Sequence, residues 1–207
     1  MQKRYDIADE KFIQFEILDY GIDFTPQKEK AFSGDEILIA YAGNLKEEYV
    51  DDVANLPQSH NIKYEFFGKE GRWINRICRE DIIYKGYLPP TQLASYISKY
   101  SHFGIFLYNK NFTQYLRTGS TSKFSAYMVA GLPVLCPSRY SYISYLIKKY
   151  KVGLTFNSFN DIPRLLHNLS EEDYRKLRRN CIELGEKIKN GYFFKKAVKK
   201  AIEILYE

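Results

Sequence analysis

The stretch with the clearest chemical potential is a run of hydroxyl residues followed directly by a lysine. Ser120, Thr121 and Ser122 have side chains that cap the free N–H groups of a helix start. Lys123 then falls in the first helical turn, where a cation costs about 0.3–1 kcal/mol because the helix N-terminus is already positive. Free N–H groups, hydroxyls and an ammonium converging on one point form a phosphate site. The alternative is that Lys123 points into solvent, and the local pattern leaves both open.

The residues after Lys123 predict a short helix packed on a sheet. Apolar side chains recur at helical spacing through Ala130, Gly131 suits a left-handed C-cap, and Pro133 cannot continue the helix. The apolar residues 134–136 then predict a short buried strand. The predicted strand follows the helix directly, so the sheet that contains this strand positions the helix start.

Composition narrows the class of protein. The chain has 207 residues, 45% of them hydrophobic, with a net charge of +6 and a pI near 9.0, which suits an anionic ligand or surface. Three widely spaced cysteines, Cys78, Cys136 and Cys181, argue for a reducing compartment and against a disulfide framework. No signal peptide and no run near about 18 apolar residues is visible. We expect a soluble, cytoplasmic domain.

Apolar strand patterns alternate with helical patterns along most of the chain. The predicted strands are 37–42, 62–67, 82–84, 103–108, 134–136 and 152–156. The predicted helices are 46–56, 71–80, 91–100, 121–130, 142–150, 160–168, 170–189 and 193–206. This rhythm predicts an α/β fold: a doubly wound, mostly parallel sheet of about six strands with helices on both faces.

The carboxyl ends of the strands in such a sheet select the candidate site. Ligands of doubly wound sheets bind there, at the point where the strand order reverses. The loops at that edge contain Gly43-Asn44, Gly86–Leu88, 108–120 and 137–139. Thr121–Lys123 opens onto the same edge, which favours the phosphate role for Lys123 over the solvent-facing one.

Several stretches together resemble a known family. They are YAGNL (41–45), KGYLPPTQL (85–93), SKFSAYMVAGLPVL (122–135), VGLTF (152–156), SEEDYRKLRRN (170–180) and NGYFFKKAVKKAI (190–202). In order and spacing they resemble the C-terminal, nucleotide-sugar-binding half of a GT-B glycosyltransferase, a Rossmann-like domain. They are most similar to the bacterial glucosyltransferase-3-like and β-1,6-galactofuranosyltransferase group.

The resemblance implies a donor site at the carboxyl edge. The residues it implies for the donor diphosphate are Gly43, Asn44, Lys46, Thr121, Ser122 and Lys123. Those it implies for the nucleoside are Gly86, Tyr87, Leu88, Phe124, Ser125 and Ala126. The chain departs from the family where Ala126 replaces a ribose-binding Glu of many retaining enzymes, and where Thr121-Ser122 replaces a Pro-His pair.

No catalytic residue and no cofactor is implied, since the UDP-sugar is a substrate. A metal is not implied either, because no acidic pair sits at a strand end and Asp51-Asp52 falls on a predicted helix as solvated surface. Helix-terminal N–H groups and a lysine can stabilise the leaving nucleoside diphosphate without one.

The resemblance also divides the chain into three parts. Residues 1–36 are expected to be an interdomain lead-in, 37–190 the nucleotide-sugar-binding domain, and 191–207 a basic helix packing back on the domain or its partner. Only 36 residues precede the first strand, so we expect the acceptor domain to be absent, through truncation or a shortened gene. We then expect a separate N-terminal acceptor domain as partner, or self-association through apolar lead-in residues such as Phe12, Phe15 and Ile17.

The expected function is the donor-binding half of a glycosyltransferase. It would use a UDP-hexose such as UDP-glucose or UDP-galactofuranose on a bacterial surface polysaccharide or glycoprotein. The alternative is a non-catalytic Rossmann-like subunit or regulator that binds a nucleotide or a protein. Nucleic-acid binding is disfavoured, because no recognised motif accompanies the charge. Lysines at 195–196 and 199–200 form a solvated helix face, or attract the protein to an anionic membrane surface.

Overall fold

Six parallel strands form a single sheet in the computed structural model, which describes residues 13, 15–27, 30–32, 35–50, 53–109, 115–117 and 119–206. They are β1 Ile37–Ala42, β2 Ile62–Phe67, β3 Ile82–Gly86, β4 Phe103–Ile105, β5 Val134–Pro137 and β6 Gly153–Phe156. The order across the sheet is β3-β2-β1-β4-β5-β6, and every neighbouring pair is parallel. The predicted fold class is confirmed, and the order reverses between β1 and β4.

Helices cover the sheet because each strand turns apolar side chains to both faces. The helices are α1 Pro90–Tyr100, α2 Ser122–Val129, α3 Ser141–Tyr150, α4 Ile162–His167, α5 Glu171–Lys189 and α6 Tyr192–Tyr206. Along β1, Ile39 and Tyr41 enter one core and Ala40 and Ala42 the other. The small alanines lie on the side that α2 covers, so that helix can approach the centre of the sheet closely.

The predicted helix over 46–56 is wrong. Two short 3₁₀ turns, Glu47–Tyr49 and Val53–Asn55, stand in its place, and Val50 between them is extended. The first turn has no side-chain cap, and β-branched residues weaken helix propensity. Val50, Val53 and Leu56 are nevertheless buried, so the pattern identified the core residues although not the backbone conformation. Asp51 and Asp52 lie outside the described residues.

Two other elements are shorter than their predictions. The helix over 71–80 is a 3₁₀ helix, Gly71–Arg76. The strand over 103–108 ends as β4 at Ile105, although Phe106 and Leu107 are buried and continue to fill the core. Beyond that point the Tyr140 hydroxyl accepts from the Tyr108 N–H at 3.1 Å and donates to the Tyr108 carbonyl at 2.9 Å. A side chain thus replaces the neighbouring strand as the partner of this backbone.

The segment before β1 is packed on the domain. Leu18 donates its N–H to Ser120 Oγ at 3.0 Å and accepts from Ser125 Oγ at 2.5 Å. Ile17 is completely buried in the core, so it cannot form an orphaned surface as predicted, whereas Phe15 is partly exposed. Phe12 lies outside the described residues. The segment therefore closes over the start of α2 and fixes where that helix begins.

The last helix, α6, is attached along one side only. Phe193 is buried, and Asp19 accepts the Phe194 N–H at 2.7 Å. Apolar side chains at helical spacing stay exposed on an adjacent stripe: Phe194, Val198, Ile202 and Leu205. Across the described ranges, no helix combines the length and apolar character that a bilayer crossing requires.

Candidate functional site

The N-terminus of α2 opens at the reversal of strand order. Thr121 is the N-cap, and its Oγ1 accepts the Phe124 N–H at 3.3 Å. This leaves the amides of Ser122 and Lys123 as first-turn donors without an acceptor inside the helix. Lys123 occupies the first turn, as the sequence predicts, and its side chain is buried, with 8% exposed.

The Lys123 amine lies in an aromatic box. Its Nζ is 3.5 Å from the centroid of the Tyr41 ring and 4.4 Å from that of Tyr108, distances at which an ammonium is attracted to the ring faces. The amine has no hydrogen-bond partner among the described residues. Burial lowers the pKa of Lys123 well below its ordinary value. An amine that is buried, surrounded by rings and without an acceptor is poised to receive an anion.

Two strand ends hold the box in place. Tyr41 belongs to β1, and Tyr108 follows β4, so the box spans the reversal point. The Tyr127 hydroxyl from α2 accepts the Ala42 N–H at 2.9 Å and lies 3.2 Å from the Ala40 carbonyl. These bonds join α2 to the end of β1, so they fix the position of the Lys123 backbone relative to the Tyr41 ring.

Glycines bring the backbone close to the amine. A Cβ at Gly43 would lie 3.0 Å from Lys123 Cε and 3.1 Å from Nζ. A Cβ at Gly68 would lie 1.8 Å from the Gly43 carbonyl oxygen, so the turns after β1 and β2 touch directly. These close contacts are possible because glycine has no side chain, and they form a narrow floor beneath the cleft.

The cleft above this floor has two compartments. One, of about 310 Å³, is lined by Tyr41, Tyr108, Ser122, Lys123 and Ala126 among others. The second, of about 330 Å³, is lined by residues that follow β2 and β3, including Phe67, Gly68, Lys69, Glu70, Tyr87 and Leu88. Tyr20, Gly43, Asn44 and Leu93 line both compartments. The shared walls make them one bipartite cleft along the carboxyl edge.

The structure brings most of the predicted site residues to this cleft. Those that line it are Gly43, Asn44, Tyr87, Leu88, Ser122, Lys123 and Ala126. The others lie behind it: Thr121 caps α2, Phe124 is in the core, and Ser125 holds Leu18. Gly86, with φ +81°, supplies the carbonyl that accepts the Gly68 N–H at 2.9 Å.

Lys46 stands apart from the cleft lining. Its N–H donates to Asn44 Oδ1 at 3.0 Å, and its Nζ lies 5.6 Å from the Tyr49 ring centroid. Its predicted place near the donor phosphates therefore stays a prediction. No group of three or more metal-ligating side chains occurs within the described ranges.

Sequence reasoning named Tyr87 but assigned no role to three other tyrosines of the cleft, Tyr20, Tyr41 and Tyr108. Tyr108 begins the loop that the carboxyl-edge rule selected, and Tyr41 stands at the end of β1, so that rule could have identified both. Tyr20 carries no such signal, because it lies before the first strand and reaches the cleft only through tertiary packing.

Strand order and the cleft at the reversal point define a Rossmann-like α/β domain. Solved structures share this fold at low sequence identity. WaaG, a glycosyltransferase involved in lipopolysaccharide biosynthesis, has a TM-score of 0.59 at 17% identity, over 95% of this chain and 58% of WaaG. TarM has a TM-score of 0.58 at 13% identity, over 95% of this chain and 38% of TarM.

The profile of one family matches residues 39–201, and the chain belongs to that family, described as "Glucosyltransferase 3-like, C-terminal domain". A curated relative, glucosyltransferase 3 of Streptococcus gordonii, is 29% identical over 89 residues, which are 43% of this chain and 26% of the relative. The chain thus aligns with about a quarter of that relative and with 58% and 38% of the two solved structures. The predicted resemblance to the C-terminal half is confirmed.

Proposed function

We propose that this protein binds the nucleotide-sugar donor of a glycosyltransferase and holds the donor diphosphate over the N-terminus of α2. The observation that carries the proposal is the Lys123 amine, buried without an acceptor at the floor of a cleft on the carboxyl edge. A diphosphate oxygen supplies the acceptor that the amine lacks. The first-turn N–H groups of α2 add further hydrogen-bond donors for the diphosphate.

The same contacts serve the chemistry of transfer. Glycosyl transfer breaks the bond between the sugar and the diphosphate, so negative charge grows on the leaving oxygen. A fixed ammonium and oriented N–H groups stabilise that charge without reorganising during the reaction. Tyr41 and Tyr108 hold the ammonium at this position through their ring faces. We propose that this suffices without a metal, which the rate of donor cleavage with and without a chelator would test.

The second compartment fits the nucleoside. It adjoins the diphosphate compartment through Gly43 and Asn44, and its walls include the Tyr87 ring and the apolar side chains of Phe67, Leu88 and Leu93. Flat apolar walls beside a phosphate site suit a base and its ribose. We propose a UDP-hexose such as UDP-glucose or UDP-galactofuranose as the donor.

The acceptor site and the catalytic base are proposed to lie in another domain. The chain aligns with only part of each compared protein, and GT-B enzymes close two domains around donor and acceptor. The exposed stripe on α6 supports a further docked domain or a second copy of the chain. The proposed acceptor is a bacterial surface polysaccharide or glycoprotein.

Calorimetry with UDP, UMP and uridine tests the proposal on the wild-type protein. We expect micromolar-class binding of UDP and an affinity about tenfold or more lower for uridine, since charged hydrogen bonds contribute about 1.5–3 kcal/mol each. Equal affinities for the three ligands would contradict a diphosphate site.

Mixing the protein with a candidate N-terminal domain separates the enzyme from its alternative. Transfer or hydrolysis of the donor only in the mixture supports the donor-binding half of an enzyme. Nucleotide binding without donor cleavage in any mixture would support the non-catalytic subunit instead.

A further inference from the structure

The segment before β1 carries one residue into the cleft. Tyr20 lines both compartments, between the Lys123 side and the Tyr87 side. It follows Leu18, whose two backbone groups are bound by Ser120 and Ser125 beside the start of α2. The backbone two residues before Tyr20 is thus anchored by residues that flank the first turn of α2.

Further anchors on both sides of Leu18 hold the segment. Glu16 forms an ion pair with Lys149, and its carbonyl accepts from the Tyr142 hydroxyl at 2.9 Å. Asp19 accepts the Phe194 N–H, which ties the segment to α6. With its neighbours fixed in this way, the Tyr20 ring has little freedom to leave the cleft.

The Tyr20 side chain differs from the tyrosines that only pack. The hydroxyls of Tyr142 and Tyr150 both bond to Glu16. The Tyr20 hydroxyl makes no hydrogen bond to any residue described, although burial, and then the nearby Tyr87 phenol, raise its pKa. Tyr20 is half-buried and, like Leu88 and Leu93, packs against the core on the α2 side of the sheet. Tyr20 thus lines the cleft with its phenol near that of Tyr87.

Tyr87 provides an opposing surface. It is exposed at the end of β3, and the Lys69 Nζ lies 5.0 Å from its ring centroid. Two tyrosine rings and a lysine therefore line this compartment, and Glu70 is the one acidic side chain among its described lining residues. This combination suits a planar, electron-poor ring attached to an anionic tail.

We propose that Tyr20 and Tyr87 clamp the nucleoside of the donor, which makes the segment before β1 a part of the donor site. This inference rests on the proposed function and adds to it a binding residue that lies outside the matched family region, residues 39–201. Tyr20 binds the base by ring contact, and its hydroxyl reaches the ribose. Occupancy of the donor site then stabilises the docked position of the segment.

The test compares UDP with inorganic pyrophosphate as titrants of wild type and Tyr20→Ala. Loss of one ring contact with a base weakens binding about tenfold. We therefore expect UDP affinity to fall by about that factor in Tyr20→Ala, with pyrophosphate affinity unchanged. Tyr20→Phe, which keeps the ring, should retain most of the UDP affinity. Tyr206→Ala is the control, since Tyr206 is 87% exposed on α6.

Each other outcome refutes a specific claim. Unchanged UDP binding in Tyr20→Ala overturns the clamp, and so does an equal loss of UDP and pyrophosphate, which would assign Tyr20 a structural role. Thermal unfolding of Tyr20→Ala shows whether the substitution causes a global fold defect. If Tyr20 acts only as a clamp, the unfolding midpoint of the variant stays near that of wild type. Failure of wild type to bind UDP would refute the proposed function itself.

Discussion

Two buried cations, Arg178 on α5 and Lys123 on α2, are held in opposite ways. Arg178 is 1% exposed and donates to the Gly131 carbonyl at 2.9 Å and the Gln27 carbonyl at 2.6 Å. It also reaches the Ser98 carbonyl at 3.3 Å, while its Nε–H has no partner among the described residues. Lys123, by contrast, has two aromatic rings and no acceptor in the part of the chain that the structure describes.

The difference separates a structural cation from a binding one. Arg178 ties α1, the turn after α2 and the segment before β1 to α5, so its partners are supplied by the fold. A buried charge requires a partner, and the described residues supply none to the Lys123 amine. This is the arrangement expected where the ligand supplies the partner. Substitutions at the two sites should therefore change different quantities: the stability at one and the ligand affinity at the other.

The largest expected effect is at Arg178. Arg178→Ala leaves three carbonyls without a donor, each at a cost of about 1–3 kcal/mol, so we expect the free energy of unfolding to fall by about 3 kcal/mol or more. Urea unfolding measures this. Arg175→Ala on the same helix is the control: its ion pair with Glu171 is exposed, and its loss should cost less than about 0.5 kcal/mol. Equal effects of the two substitutions would contradict a structural anchor.

The next effect is a loss of stability in acid, caused by His102, a partly buried base whose hydrogen-bond partner belongs to the fold. His102 Nδ1 accepts the Leu38 N–H at 3.1 Å, and burial, aided by Lys30, lowers the pKa of His102 from 6.5 to about 4. Because the unfolded chain binds the proton first as pH falls, stability should decrease from pH 6.5 towards 4 and level off below. The loss is about 3 kcal/mol.

Urea unfolding at several pH values tests the role of His102. The slope of stability against pH between 6.5 and 4 should be smaller in His102→Gln than in wild type. An identical slope in the two proteins would show that other groups cause the acid loss.

A smaller effect of opposite sign is expected at Lys123. Lys123→Met keeps most of the side-chain volume and removes an amine without a hydrogen-bond partner, so the unliganded protein should gain about 1–2 kcal/mol of stability. The gain should shrink as pH rises towards 10.5. The reason is that burial lowers the pKa of Lys123, so burying this lysine destabilises the folded wild type at low pH. That cost disappears as the lysine of the unfolded chain also loses its proton near pH 10.5. A marked loss of stability would show that the amine is structurally satisfied.

The smallest expected effect on ligand affinity is at the cleft floor. Gly43→Ala places a Cβ at 3.0 Å from Lys123 Cε, and the flexible end of the lysine can shift to relieve it. We expect a stability loss of about 1 kcal/mol or more, because φ at Gly43 is +157°, a conformation that residues with a Cβ rarely adopt. We also expect the UDP affinity to fall by about threefold to tenfold. Gly119→Ala is the control, since its Cβ would meet nothing within 4 Å. Full UDP affinity in Gly43→Ala would show that the lysine position is not critical.

Much of the fold was predictable because it depends on local pattern. Buried strands of parallel sheets are continuous apolar runs, so all six were identified, and glycine and proline marked the end of α2. The stretch 46–56 could not be predicted from its period, since three buried apolar residues at helical spacing also fit two 3₁₀ turns.

The candidate site was predictable in part for a similar reason. Lys123 and Gly43 stand at positions where the fold class places ligands, and the structure puts both at the cleft. The acceptor-free state of the amine and its aromatic box depend on Tyr41 and Tyr108, which are far apart in sequence. Tyr20 depends on hydrogen bonds from Ser120 and Ser125, which no spacing along the chain reveals.

The central claim is that the Lys123 amine receives the donor diphosphate, and UDP titration of Lys123→Met against wild type by calorimetry tests it most directly. Loss of a charged hydrogen bond predicts a dissociation constant about 10-fold to 100-fold higher in the variant, with an unfolding midpoint no lower than that of wild type. Equal dissociation constants in two folded proteins would contradict the assignment of this cleft as the donor site.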